Sequence, residues 1–253
     1  MTNRYDELPK EPPNGVALLE TPARVLTIGA HPDDAEFGAG ATIARWAASG
    51  AHLTMCIVTD GSKGSWDPDL STEELVTRRA EEQQAAADVL GASHVVALGH
   101  VDGDLEHSLA LRDEIALQIR SHRPDVILTH DPWQRYQLHP DHRVTGLVAM
   151  DAVIAAREPM ALRNSDSEAH RPTTVLLWSA DQPDHAEPVE DAWFGVKVAA
   201  LMCHTSQSRT TMGDAASGGE AHRRFVTSLT EWHRTMGGPF GLESAEAFKR
   251  LTP

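Results

Sequence analysis

Cysteine is almost missing from this chain. Cys56 and Cys203 are the only two in 253 residues, which excludes a disulfide framework and a Cys-rich zinc knuckle. Both sit in apolar stretches and are expected to be buried thiols. Positive charge is scarce as well: Lys plus Arg number 22 against 37 Asp plus Glu, a formal charge of −15 with His neutral. Nucleic acid and anionic membranes both need a cationic surface, so neither is expected as the main partner. No apolar run approaches the ~20 residues of a membrane span. The opening MTNRYDELPKEPPNG has no apolar centre of the signal-peptide kind, so a soluble, cytoplasmic protein is expected. Internal repeats are absent. Gly38 and Gly40 do not extend into GxGxxG, which leaves a dinucleotide site unsupported.

What remains is an ordinary globular composition, 41% hydrophobic and 23% charged, enough to bury a core. Residues 1–22 are Pro-rich with little apolar periodicity and read as an extended tail; 23–253 read as a single domain. RVLTIGA (24–30) is a short continuous apolar run, the mark of a strand buried on both faces. Helical spacing follows over 36–50, then a second strand over 51–61. Ser71-x-x-Glu74 is a capping box opening a helix that Gly91 ends. Segments 94–99, 109–122 and 125–130 repeat strand, helix, strand; 144–157 is helical and 173–179 a fifth strand. Such alternation implies crossover units and predicts a Rossmann-like, doubly wound α/β fold: a mainly parallel sheet of order 3-2-1-4-5 with helices on both faces. Further helices are expected at 189–204 and 220–236. Residues 205–220 are small and polar and read as a mobile loop, a linker or an active-site lid.

Fourteen histidines are present, and they matter where they meet carboxylates. AHPDDAEFGAG places His31, Asp33, Asp34 and Glu36 directly after the first strand. HPDHR places His139, Asp141, His142 and Arg143 after the fourth. In the expected strand order these two loops flank the topological switch point, where ligands bind beyond the strand ends. Catalytic metal sites use three N/O ligands and leave a position open, and His with Asp suits Zn²⁺. His31, Asp34 and a histidine of HPDH can supply such a set, leaving Asp33 as a spare base and a second histidine for oxyanion or leaving group. Two histidines and a carboxylate also satisfy a non-haem Fe²⁺ triad. The bland alternative is that both motifs are Pro-Asp turns capping the next helix.

AHPDDAEFGAGATIARWAASG followed by HPDHR resembles the LmbE-like (PIG-L) metal-dependent N-deacetylases, with weaker blocks at 59–65, 78–91, 98–105, 203–207 and 243–251 in the family's order. The resemblance implies removal of acetyl from an N-acetylglucosaminyl conjugate or related small amide, with zinc, Fe²⁺ or another divalent metal. It implies His31, Asp34 and His142 as metal ligands and Asp33 as general base. It also implies His139 at the amide oxygen or leaving group, and Asp141 as the carboxylate that tunes His139. Arg79, Asp102 and His204 match substrate-contacting positions. Inositol-specific members often carry Glu where this chain has Ser62 and Lys63, a departure that argues against an inositol-linked substrate. An amidase for another small amide such as a thiol conjugate, and a non-catalytic metal or sugar binder, are the alternatives. A homo-oligomer is compatible with the sequence. Trp66 and Trp133 fall in loops near the crevice, whereas Trp46, Trp178, Trp193 and Trp232 lie on regular elements and are expected in the core or an interface. His94, His122 and His130 are expected to be structural, although His130 ends the fourth strand and can reach the crevice floor.

Overall fold

The structure is a computed structural model describing residues 18–253. Most of the expected tail lies outside the described residues. Residues 18–22 have no regular structure, and the backbone N–H of Leu19 donates to Glu187 Oε1 at 3.1 Å.

β1 (Arg24–Gly29), β2 (His52–Thr59), β3 (His94–His100), β4 (Val126–His130) and β5 (Thr174–Trp178) form the parallel part of a seven-stranded sheet ordered β3-β2-β1-β4-β5-β7-β6. The expected order 3-2-1-4-5 holds. β6 (His185–Pro188) and β7 (Ala245–Leu251) extend it, β7 antiparallel to β5 and to β6. This extension was not anticipated. β7 falls in the ESAEAFKRL block, whose mix of charged and apolar residues carries no clean alternation.

Side-chain alternation along the strands divides the core in two. Val25, Leu53, Met55 and Leu128 face one side, packing under α1 (Asp34–Ala48), α2 (Thr72–Leu90) and α5 (Asp191–Cys203). Leu26, Ile28, Cys56 and Ile127 face the other, under α3 (Leu109–His122) and α4 (Pro140–Arg157). Truncating a fully buried member such as Leu53 to Ala costs about 2–5 kcal/mol. Cys56 is buried; Cys203 is only partly so.

Ser71 and Glu74 make both bonds of the expected capping box, and Gly91 ends α2 at φ 78°. Two expectations need correction. α4 begins at Pro140, not 144, because proline's missing N–H and fixed φ suit the first helical position; His142 therefore stands in the first helical turn. Residues 205–220 are not an open loop. They form a 3₁₀ turn (Thr205–Gln207), the short α6 (Ser208–Thr211) and a second 3₁₀ turn (Ala215–Ser217) before α7 (Gly219–Gly237). Glu82 pins their start, accepting from the Thr205 hydroxyl at 2.6 Å, the Ser206 N–H at 2.8 Å and the Ser206 hydroxyl at 2.6 Å. Among the described residues, no helix is long and apolar enough to cross a membrane.

Candidate metal centre and active site

β1 and β4 are neighbours whose following helices lie on opposite faces, so the loops leaving their carboxyl ends part and open a crevice. His31 to Asp34 line it from β1, His139 to His142 from the start of α4. The cavity there measures about 790 Å³, within the usual range for a small-molecule site.

His31 Nδ1 lies 3.2 Å from His142 Nε2 and 3.5 Å from Asp34 Oδ2, and His142 Nε2 lies 3.3 Å from Asp34 Oδ1. Ligands about 2.0–2.1 Å from one tetrahedral ion stand roughly 3.3 Å apart; the two ring nitrogens meet that spacing, and Asp34 approaches each of them with a different oxygen. Two groupings capable of holding an ion, His31/His139/His142 and Asp34/His130/His142, each contain two members of this trio; a third joins His31, Asp102 and Asp141. The far nitrogen of His31, Nε2, faces Asp102 Oδ1 at 3.1 Å and Asp141 Oδ2 at 3.2 Å. Carboxylates there orient the ring and leave Nδ1 for a metal. Burial opposes a charge on His31, yet hydrogen bonds to Asp102, Asp141 and Asp34 push its pKa up to about 12. The pocket demands a cation, which a divalent ion also supplies.

Asp34 is braced from behind. Trp178 Nε1 donates to His130 Nδ1 at 3.1 Å, and His130 Nε2 lies 3.1 Å from Asp34 Oδ2 and 3.2 Å from the Ala30 backbone nitrogen. Burial keeps His130 neutral, its pKa lowered. Burial also works against ionised Asp34, but His142 and His130 outweigh it and hold the carboxyl well below its ordinary range. His130 is thus part of the site. Its place at the end of the fourth strand was the only signal for it.

Asp33 sits at φ 101°, ψ −20°, a left-handed conformation that Asp adopts more readily than most residues but at a cost. Arg79 and Gln83 hold it. Arg79 Nη2 donates to Pro32 O at 2.6 Å and Nη1 to Gly61 O at 3.1 Å, while Asp33 N–H donates to Gln83 Oε1 at 3.2 Å. A β-carbon on Gly61 or Gly64 would come within 2.6 or 2.4 Å of the guanidinium, so both glycines are needed for its approach. Burial raises the Asp33 pKa to about 6, with Arg79, 3.8 Å away, pulling the other way.

Two expectations change here, those for His204 and Asp141. Arg79 borders the cavity but is 3% exposed, and its Nη1 and Nη2 donate to the Gly61 and Pro32 carbonyls, so it also supports the turn. His204 has no exposed surface and faces buried Glu36 at 3.5 Å; it does not contact the cavity. Burial opposes its protonation, but Glu36 raises its pKa. Asp141 does not pair with His139: its Oδ2 accepts from Gly103 N–H at 2.6 Å and faces His31 Nε2. His139, the N-cap of α4, has its pKa lowered by burial and then by His31 and His142, which outweigh the pull of Asp141. It is therefore a neutral imidazole, stacked on His142 at 4.7 Å. Asp102 lines the cavity, bonded to His31 and to Lys63 N–H. Trp66 and Trp232 line it too, the latter expected in the core or an interface; Trp178, in the core as expected, also borders it.

The model of the PIG-L family, described as GlcNAc-PI de-N-acetylase, matches residues 26–153. Diacetylchitobiose deacetylase of Thermococcus kodakarensis is 35% identical over 187 residues, 73% of this chain and 70% of that protein. A 1D-myo-inositol 2-acetamido-2-deoxy-alpha-D-glucopyranoside deacetylase of Kineococcus radiotolerans is 33% identical over 170 residues; the match spans 54% of this chain and about half, 47%, of that protein. The solved N,N'-diacetylchitobiose deacetylase of Pyrococcus horikoshii superposes with a TM-score of 0.82 at 26% identity, covering 91% of this chain and 84% of that one.

Proposed function

The chain belongs to the PIG-L family, and from that premise we propose that it is a metal-dependent hydrolase removing the acetyl group from a small N-acetylglucosaminyl conjugate. The observation that carries this reading is Asp33: a buried carboxyl with a pKa near 6, beside three side chains spaced for one ion. Pure metal binding has no use for such a base.

His31, Asp34 and His142 would hold the metal, with zinc the assignment their N/O donor set favours. When bound, a divalent ion supplies a Lewis acid that acidifies water and polarises a carbonyl. Asp33, ionised just above pH 6, takes the proton of the water that attacks the acetyl carbon. A general base titrating near the working pH is the most effective kind. Neutral His139 retains one ring N–H and can donate it to the oxygen on which negative charge develops. As the C–N bond breaks, the departing nitrogen needs a proton, and Asp33 now carries one. Acetate and the free amine leave, and Asp33 returns to its ionised state.

The cavity wall suits a sugar. Trp66 and Trp232 offer aromatic faces, and Gln134, Gln137 and Thr210 offer hydrogen bonds. The test is acetate release from N-acetylglucosamine conjugates by metal-reconstituted protein. Acetate and amine in equal amounts support the reading. A larger acid would identify an amidase of other amides, and no release from any conjugate by metal-loaded protein would overturn it.

A further inference from the structure

Behind the metal loop, α1 is broken. Ala39 has φ −152° and ψ 19° in the middle of the helix, so the regular N–H to carbonyl ladder cannot run through it. In an unbroken helix the amides of Ala41 and Thr42 would donate to the carbonyls of Phe37 and Gly38. Here they donate to the Glu246 carboxylate from β7, Ala41 N to Oε1 at 3.0 Å and Thr42 N to Oε2 at 2.7 Å. The carbonyl of Phe37 accepts instead from Lys197 Nζ of α5 at 2.8 Å, and Lys197 closes the circuit with Glu246 Oε1 at 2.7 Å. His233 of α7 faces the same ammonium through Nε2 at 3.0 Å. Burial, then Lys197, pushes the His233 pKa down to about 2, so it is neutral and accepts.

The glycines of the AHPDDAEFGAG motif serve this arrangement. A β-carbon on Gly40 would lie 2.9 Å from Lys197 Cγ, and one on Gly38 would lie 2.5 Å from the Trp178 ring. The first segment of α1, cut off by the break, carries Asp34 and presents Phe37 and Gly38 to the cavity.

We infer that Lys197 and Glu246, with His233, are positioning residues: inserted into the broken helix, they set the direction of its first segment and so the place of Asp34 against His31 and His142. The inference rests on the reading of Asp34 as a metal ligand. The network satisfies one of the two freed carbonyls, that of Phe37, and both freed amides of one helix turn. Replacing the three together should let the freed groups find one another and straighten α1.

The experiment uses Lys197→Met/His233→Leu/Glu246→Leu, which leaves no charge buried alone; apolar replacement of such a buried network is often tolerated. Three things are measured: zinc affinity by chelator competition, the melting temperature of the metal-free protein, and the α1 backbone by crystallography. The expected result is a regular α1 through Ala39 and zinc bound about 10–100-fold more weakly, whatever the change in melting temperature. Unchanged zinc affinity, or a break retained at Ala39, overturns the inference. Gly40→Ala, which crowds Lys197 without removing a polar group, decides the matter if the triple variant does not fold: zinc affinity should fall, and unchanged affinity is contradictory. Should the wild type bind no zinc, the functional reading fails, while the backbone of the variant still judges the role of the network in the break.

Discussion

Histidines gather at both ends of this sheet with nearly the same spacing and opposite chemistry. At the carboxyl end of the strands His31 and His142 have ring centroids 5.1 Å apart. At the amino end, His52 and His94 lie 5.2 Å apart and His94 and His122 6.3 Å. Thr54 pairs in register with His94, so His52, Thr54 and His94 share the face that α3 covers, and α3 ends at His122. The first group is threaded with Asp34, Asp102 and Asp141. The second offers His122 only the Thr54 hydroxyl at 3.2 Å, with the Arg24 side chain bonded to the His122 carbonyl. His31 is accordingly driven up to about 12, whereas burial and then His94 lower His122. Among the described residues, the groupings close enough to hold an ion lie at the carboxylate-rich end. Clustering of imidazoles does not by itself make a candidate metal centre; carboxylates placed to orient them do.

Four substitutions can break or sharpen that contrast. The largest effect on turnover is expected from Asp33→Asn, which leaves the proposed ligands in place but removes the proposed base. The turnover number should fall by ~10²–10⁴ with metal content unchanged, checked by steady-state rates beside elemental analysis. Asp141→Asn comes next. Since Asp141 bonds to His31 rather than His139, its loss should weaken metal binding by about 10–100-fold, measured by chelator competition.

Arg79→Met should act through pH. In the proposed mechanism Asp33 acts only when ionised, so activity is expected to fall as pH drops through about 6. Arg79 favours the ionised form, and its removal should move this acidic limb of the kcat/KM profile to higher pH, with the deficit at pH 6 shrinking toward pH 8. A profile that stays in place would detach Arg79 from Asp33. The smallest effect belongs to the other end of the sheet. The folded pKa of His122 lies below its ordinary 6.5, so as pH falls the unfolded chain takes up the proton first and stability declines below about 6.5. His122→Gln should relieve this loss by about 1–2 °C in Tm at pH 5.5, with no change at pH 8 and none in activity. A loss of metal or activity in that variant would erase the distinction between the two ends.

The parallel half of the fold was legible because its strands are short apolar runs and its helices carry readable ends, such as Ser71 with Glu74 and Gly91. The antiparallel edge was not, since β7 earns its place by packing Phe248 and by lending Glu246 to α1, neither of which has a local pattern. Within the site, the two motifs predicted which residues meet but not which atoms. Asp141 follows His139 by two positions yet turns to His31, because the first turn of α4 points it toward Gly103. Arg79 and His204 were read as substrate contacts; burial, which no motif reports, takes His204 away from the cavity and leaves Arg79 only 3% exposed at its border. His130, Gln83 and Lys197 act through neighbours about 100, 50 and 160 residues away, distances at which a single sequence gives no signal.

The central claim is that His31, Asp34 and His142 hold one divalent ion. Elemental analysis of wild type and His142→Ala, dialysed side by side and both checked for fold by circular dichroism, tests it most directly. The prediction is close to one equivalent of metal in the wild type and none in the variant. Equal metal in a folded His142→Ala would contradict the account.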